Sequence, residues 1–183
     1  RGCSTTIEVL RGSDVKRIRP RENPDVNKFW MCDIGRFAFG HVNAPHRLEG
    51  ALVREGGRLV TARIEDALCI VRDMLMAHKD ALVVLSPWLT VEEGRSLLDY
   101  VKRFGAKLVF VSPEPNGEKD AVLHTGDPCP NRRGLADLGI ESASAAQIAE
   151  RMKHAGVVML VGERVIELLG TRALGALPAT AQV

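Results

Sequence analysis

Ala81-Leu82-Val83-Val84-Leu85 runs through Ser86-Pro87-Trp88-Leu89 directly into Thr90-Val91-Glu92-Glu93. A continuous apolar run of this length is what a strand covered on both faces requires, since successive side chains point to opposite sides. Thr90 and Glu93 have the spacing at which a hydroxyl and a carboxylate satisfy each other's backbone donors at a helix start. A buried strand that turns straight into a capped helix predicts a unit of parallel sheet.

The pattern repeats outward from this stretch. Leu97, Leu98, Val101 and Phe104 make the apolar stripe of the helix after Thr90, and Gly105 stops it. Lys107–Val111 is a second apolar strand. Ser144 and Gln147 cap a further helix with Ile148 and Met152 facing inward, and Gly156 ends it. Val157–Val161 is a third strand, followed by a short helix from about Glu163 to Leu169. Upstream, Ile64, Ala67, Leu68, Val71, Met74 and Leu75 recur at helical spacing and predict one buried face over Ile64–Ala77. Cys69 lies among these apolar residues and reads as a small core residue. The stretch between Ser112 and Ser142 is rich in Pro, Gly and Asn and reads as a long surface loop. The class is α/β: a small parallel sheet with packed helices, a Rossmann-like layer.

The first part of the chain is different. Ser4–Leu10 and Val15–Arg19, separated by Gly12-Ser13-Asp14, read as a β-hairpin. Pro20–Pro45 has no sustained period. Gly50–Arg54 and Arg58–Arg63 around Glu55-Gly56-Gly57 predict a second hairpin. The expected division is a hairpin segment and linker over 1–48, an α/β body over 49–170, and a flexible tail over 171–183.

Composition sets outer limits. The chain has 183 residues, 45% hydrophobic and 26% charged, with a net charge of +2. So small a charge predicts no general nucleic-acid binding, and no apolar run approaches the roughly 18 residues needed to span a bilayer. The sequence opens on Arg1 rather than Met, directly ahead of a strand, and reads as part of a longer protein. The dispersed cysteines Cys3, Cys32, Cys69 and Cys129 argue for a reducing compartment rather than a disulfide framework.

Familiar catalytic patterns are missing. There is no G-x-G-x-x-G or G-x-x-x-x-G-K-[ST], and Ser86-Pro87-Trp88-Leu89-Thr90 lacks the glycines that let backbone approach a pyrophosphate. No serine sits in a G-x-S-x-G elbow. His41, His46, His78, His124 and His154 show no metal-ligand spacing; His78 and His154 read as helix-end residues. Cys129, in Asp127-Pro128-Cys129-Pro130-Asn131, reads as a loop thiol.

The densest signal is Gly2-Cys3, the first hairpin, Val15-Lys16-Arg17-Ile18-Arg19-Pro20-Arg21-Glu22-Asn23-Pro24, Val26-Asn27 and Trp30-Met31-Cys32-Asp33-Ile34-Gly35-Arg36-Phe37. This resembles the iron–sulfur segment of the molybdopterin oxidoreductase superfamily. It is most similar to the large G-type (75-kDa-like) subunit of NADH:quinone oxidoreductase, complex I. In that family C-x-x-C-x-x-x-C precedes a hairpin, then R-x-R-P-R-E-N-P-x-V-N and W-x-C-D-x-G-R-[FY]. Leu85-Ser86-Pro87 with Thr90–Glu93, and Asp127–Gly134 with Leu138-Gly139, resemble later family motifs more thinly.

The resemblance implies that Cys3 and Cys32 are the third and fourth ligands of a [4Fe–4S] cluster, with the first two absent from this chain. It implies that Arg17, Arg19 and Arg21 are outer-shell charges and Trp30 a hydrophobic shield. A cubane takes four thiolates, so the expectation is a cluster in the intact parent and none bound by this fragment. Nothing in Phe37–Gly57 fits a catalytic cysteine, and molybdopterin is not expected. The implied role is structural and electron-relaying, with no active site in this chain. Its partners would be the other subunits of a respiratory complex, which would hold it peripherally at the cytoplasmic face of the inner membrane. A formate dehydrogenase-like parent is the alternative, and an unrelated α/β binding module the third reading.

Overall fold

The structure is a computed structural model, and it describes residues 3–113, 117–121, 125–170, 173 and 175. His124 and nearly all of the 171–183 segment expected to be flexible lie outside the described residues. The chain divides into two compact units, Arg1–Ala62 with Pro115–Pro128, and Arg63–Glu114 with Cys129–Val183.

Both hairpins expected from sequence are formed in the first unit. Strands β1 (Thr5–Leu10) and β2 (Asp14–Pro20) pair antiparallel, with Thr5 opposite Pro20 and Glu8 opposite Arg17. A bulge between Glu8 and Val9 breaks the register near the turn. The irregular stretch that follows holds one short helix, α1 (Asp33–Phe37). Strands β3 (Ala51–Glu55) and β4 (Arg58–Ala62) form the second hairpin. Its loop is Gly56-Gly57, with φ of 54° and 81°. Two consecutive positive φ values make the turn whose twist suits paired strands, and glycine adopts them without steric cost.

Little is buried here. Among the described residues of this unit only Val15 and Asn27 are buried. Directed hydrogen bonds hold it instead. The Asn43 carboxamide brackets Val15, accepting from its N–H at 3.0 Å and donating to its carbonyl at 2.7 Å.

The second unit runs α2 (Ile64–Ala77), β5 (Leu82–Leu85), α3 (Val91–Lys102), β6 (Lys107–Val111), α4 (Arg132–Asp137), β7 (Glu141–Ala143), α5 (Ala145–Met152), β8 (Val158–Val161) and α6 (Val165–Leu169). The strands form one parallel sheet in the order β7-β6-β5-β8. Strand β5 lies inside it, and Val83, Val84 and Leu85 are completely buried.

The sheet's two faces bury separate clusters, as its continuous apolar strands require. Leu82, Val84, Val109 and Val111 pack with Ile148, Met152, Val165 and Leu169. Val83, Leu85 and Phe110 pack with Leu75, Val101, Leu135 and Ile140. Fully burying each such side chain contributes roughly 1.5–3 kcal/mol. Both expected capping boxes are present, Thr90 with Glu93 and Ser144 with Gln147.

Three expectations need correction. The region between Ser112 and Ser142 is not only loop, since it contains α4 and the start of β7, anchored by the buried Leu135 and Ile140. A six-residue helix and a three-residue strand are too short to show a period. Helix α2 does not bury its whole apolar stripe: Leu75 is buried, Val71 and Met74 pack beside it, but Ile64 and Leu68 are exposed. Cys69 is exposed with them and is no core residue. Only the C-terminal half of α2 reaches the sheet's core.

Candidate functional site

The loop joining Cys3 to Cys32 is organised by asparagines. The Asn23 carbonyl accepts from the N–H groups of Val26, Asn27 and Lys28 at 3.2, 3.2 and 2.6 Å, and the Asn23 N–H donates to the Lys28 carbonyl at 2.7 Å. Its side-chain oxygen takes the Asp25 N–H at 3.2 Å. Lys28 closes this compact turn in the left-handed region, at φ 50°. Pro24 supports the turn because it fixes φ and has no N–H to satisfy.

Asn27 lies at the turn's base and is 2% exposed. Its Oδ1 accepts from the Ser4 N–H at 2.8 Å, while Nδ2 donates to the Trp30 carbonyl at 3.1 Å and the Arg21 carbonyl at 3.3 Å. The Trp30 N–H returns a bond to the Asn27 carbonyl at 2.8 Å. One side chain thus ties the residue after Cys3 to the segment that leads into Cys32. Arg21 completes the arrangement, with its N–H on the Ser4 carbonyl at 2.9 Å and its Nε on the Ser4 hydroxyl at 3.0 Å.

Cys3 and Cys32 are both half-buried free thiols in this unit. Cys32 immediately precedes α1, and Gly35 in that helix leaves bare backbone beside it. A Cβ added at Gly35 would lie 3.2 Å from the Met31 methyl and 3.8 Å from the Cys32 sulfur. Both thiols are thus partly accessible, with bare backbone beside Cys32. Among the described residues no three His, Cys, Asp or Glu side chains group as a metal site. Cys69 and Cys129 belong to the other unit. Cys129 is on a loop as expected but buried, with an Arg132 Nη 3.6 Å from its sulfur.

The three arginines differ. Arg17 and Arg19 both pair with the Glu8 carboxylate, at 2.6 and 3.3 Å, so one negative charge already offsets them. Arg21 instead reaches Ser4, the residue that follows Cys3 in the chain. The Trp30 ring is half exposed, 5.1 Å from the Phe29 ring. His41 holds the Ala38 carbonyl at 2.7 Å, His78 is the C-cap of α2, and His154 lies 4.0 Å from Glu150.

The second unit has a switch point where β6 and β8 flank β5, the place at which open α/β sheets take ligands beyond their strand ends. Side chains fill it. The buried Ser86 hydroxyl donates to the Glu163 carbonyl and accepts from the Trp88 N–H at 3.2 Å. Gly162, at φ 98°, admits Leu89, whose Cγ would be 3.0 Å from any Cβ there. The Arg164 guanidinium lies 4.7 Å above the Trp88 ring, and beside Glu167 it holds that carboxyl below its ordinary range. A shallow hollow of about 330 Å³ lies nearby, lined by Leu89, Glu92, Glu93, Ser96, Leu97 and Val161. Asn131 ties this end together, its N–H on the Pro87 carbonyl at 3.1 Å and its Nδ2 on the Leu89 carbonyl at 2.8 Å.

Comparison with known proteins bears on the first unit most directly. Residues 2–40 match the family described as NADH-ubiquinone oxidoreductase NDSU1/NuoG-like, 4Fe-4S domain. Over this segment the chain is NuoG-like. It is 42% identical over 144 residues to NADH-quinone oxidoreductase subunit 3 of Thermus thermophilus, covering 69% of this chain and 18% of that protein. It is 28% identical over 169 residues to the G-type subunit of the NADH-quinone oxidoreductase of Shewanella oneidensis, covering 84% of this chain and 18% of that one. The corresponding G-type subunit of Escherichia coli K12 is 33% identical over 102 residues, covering 54% of this chain and 11% of that protein. The chain therefore spans less than a fifth of each of these relatives. The resemblance read from Arg19–Asn27 and Trp30–Arg36 is upheld, and a formate dehydrogenase-like parent is not favoured. No helix among the described residues is long and apolar enough to cross a membrane.

Proposed function

We propose that this chain is part of the electron-relay region of an NADH:quinone oxidoreductase, in which Cys3 and Cys32 supply two of the four thiolates of a [4Fe–4S] cluster. The observation that carries the reading is the Asn27 clamp, which binds the residue beside Cys3 to the segment entering Cys32, within the stretch that matches the NuoG-like family. A bound cluster would supply one-electron transfer. The chain's own residues would hold two sulfurs in place, set Arg21 on Ser4, the residue after Cys3, and leave bare backbone at Gly35. Arg21 adds positive charge, which favours the more negative, reduced state of a cluster. Arg17 and Arg19 contribute less, since Glu8 offsets them.

The other two thiolates would come from residues outside this sequence. The α/β unit acts as a scaffold, consistent with the filled switch point, and NADH and quinone chemistry belongs to partner subunits. Those subunits would hold the chain peripherally at the inner membrane, on its cytoplasmic side. Cys69, Cys129 and the histidines take no part, and neither does molybdopterin.

The test is an iron and acid-labile sulfide assay on anaerobically purified protein, comparing this chain with a form extended upstream by about twenty residues, which should bind about four irons. The extended form should lose its iron in the Cys3→Ser and Cys32→Ser variants, and the 183-residue chain should bind none. An extended form that binds no iron, or that keeps it in both variants, overturns the reading.

A further inference from the structure

We propose that Asn27 is a positioning residue for the cluster, the group that fixes how far apart and in what orientation Cys3 and Cys32 are presented. This rests on the function proposed above and deepens it. Burial is the starting point. An uncharged amide removed from water must find its partners within the protein or lose roughly 1–3 kcal/mol per unmet group. Asn27 is 2% exposed in a unit with almost no apolar core, and its carboxamide makes three bonds. Those bonds end on the Ser4 N–H, the Trp30 carbonyl and the Arg21 carbonyl. Ser4 follows one thiol directly, and Trp30 precedes the other by two residues.

Each alternative side chain breaks part of this. Asp keeps the acceptor for the Ser4 N–H but sets a carboxylate against two carbonyl oxygens. Ala removes all three bonds, and Gln carries the same amide one methylene too far. None of these residues would touch iron, so Asn27 acts only through the two cysteines. A group that orients ligands in this way affects metal retention and electronic structure as well as folding.

Asn43 supplies the control. It also grips main chain through both ends of its amide, but its partner is Val15, inside the hairpin and not in a segment that adjoins either cysteine in sequence. Removing either asparagine costs hydrogen bonds and stability, yet only Asn27 bears on the sulfurs.

The experiment uses the full-length subunit carrying this sequence, purified anaerobically as wild type, Asn27→Ala, Asn27→Asp, Asn43→Ala and Cys32→Ser. The signal of this cluster is whatever Cys32→Ser removes from the electron paramagnetic resonance spectrum of the reduced protein. For that signal one measures line shape, midpoint potential and retention against an iron chelator, with thermal unfolding alongside. In Asn27→Ala the line shape and potential should shift and retention fall about 10-fold. Asn27→Asp should shift both as well, and Asn43→Ala should lower the unfolding temperature while keeping the wild-type line shape and potential. Wild-type line shape, potential and retention in Asn27→Ala overturn the proposal, as does an equal disturbance in Asn43→Ala. If Asn27→Ala does not fold, Asn27→Asp decides on the same criteria. If Cys32→Ser leaves the spectrum unchanged, the cluster reading itself has failed and this proposal falls with it.

Discussion

In the unit that holds Cys3 and Cys32 the most buried of the described residues is an asparagine, while the unit built on β5 buries a run of valines and leucines together with Phe110. The first is shaped by directed bonds among Ser4, Arg21, Asn23, Asn27 and Asn43; the second by the area its sheet removes from water on two faces. Apolar burial is large and non-directional, whereas a hydrogen bond contributes little net energy but fixes geometry. A segment that must present two sulfurs at set positions needs the second quality more than the first. The division of physical means follows the proposed division of labour, with positioning in one unit and support in the other.

The comparison breaks first at Phe110. Phe110→Ala should destabilise the second unit by about 3–5 kcal/mol, read from urea unfolding followed by Trp88 fluorescence in a Trp30→Phe background. A cost below that of any single asparagine in the first unit would show that its sheet is not the energetic centre. Asn43→Ala should cost about 1–3 kcal/mol, because it strands the N–H and carbonyl of Val15. Hydrogen exchange at the Val15 amide is the direct measurement, and unchanged protection there would remove the claim that bonds rather than burial hold the hairpin.

Some of this contrast was legible in the sequence and some was not. The strands at 82–85, 107–111 and 158–161 and both capping boxes could be read because apolar continuity and S/T-x-x-E/Q spacing are local signals. Helix α4 and strand β7 hid within a Pro- and Asn-rich stretch because each is shorter than the period that would reveal it. Cys69 misled because a stripe of apolar residues shows which face could be buried, not how much of it meets a partner. At the candidate site the cysteines and arginines stood out by chemical type. Asn23 and Asn27 sat inside the quoted motif with no role, since their function is to satisfy main-chain groups that only the folded loop brings together. Two asparagines flanking a proline, in a segment without periodicity, were the available clue.

Two smaller effects sharpen the comparison. Ser144→Ala removes the acceptor for the Gln147 N–H at the start of α5 and should cost about 1 kcal/mol in urea unfolding. A loss matching that of Phe110→Ala would mean the second unit also depends on individual hydrogen bonds. The smallest effect is electrostatic. The Arg151 guanidinium, bonded to Glu141 at 3.0 Å, holds that carboxyl below its ordinary range. A carboxyl depressed in the folded state stabilises fully above its unfolded pKa, and this contribution is lost as pH falls through the folded value. Glu141→Gln should therefore flatten the acid limb of the stability profile, with a weaker effect in high salt because the pair faces solvent.

The order of the parallel sheet also constrains how the molecule is made. Strand β5 pairs with β6 on one side and β8 on the other, and the Ser86–Glu163 bond that fastens this second edge joins residues 77 positions apart. During synthesis at about 5–20 residues per second, β5 and β6 emerge seconds before β8 can reach them. Through that interval one edge of the most apolar strand in the chain stands unpaired, the state in which strands associate wrongly. A nascent chain arrested just before Val158 is therefore the form most in need of a chaperone.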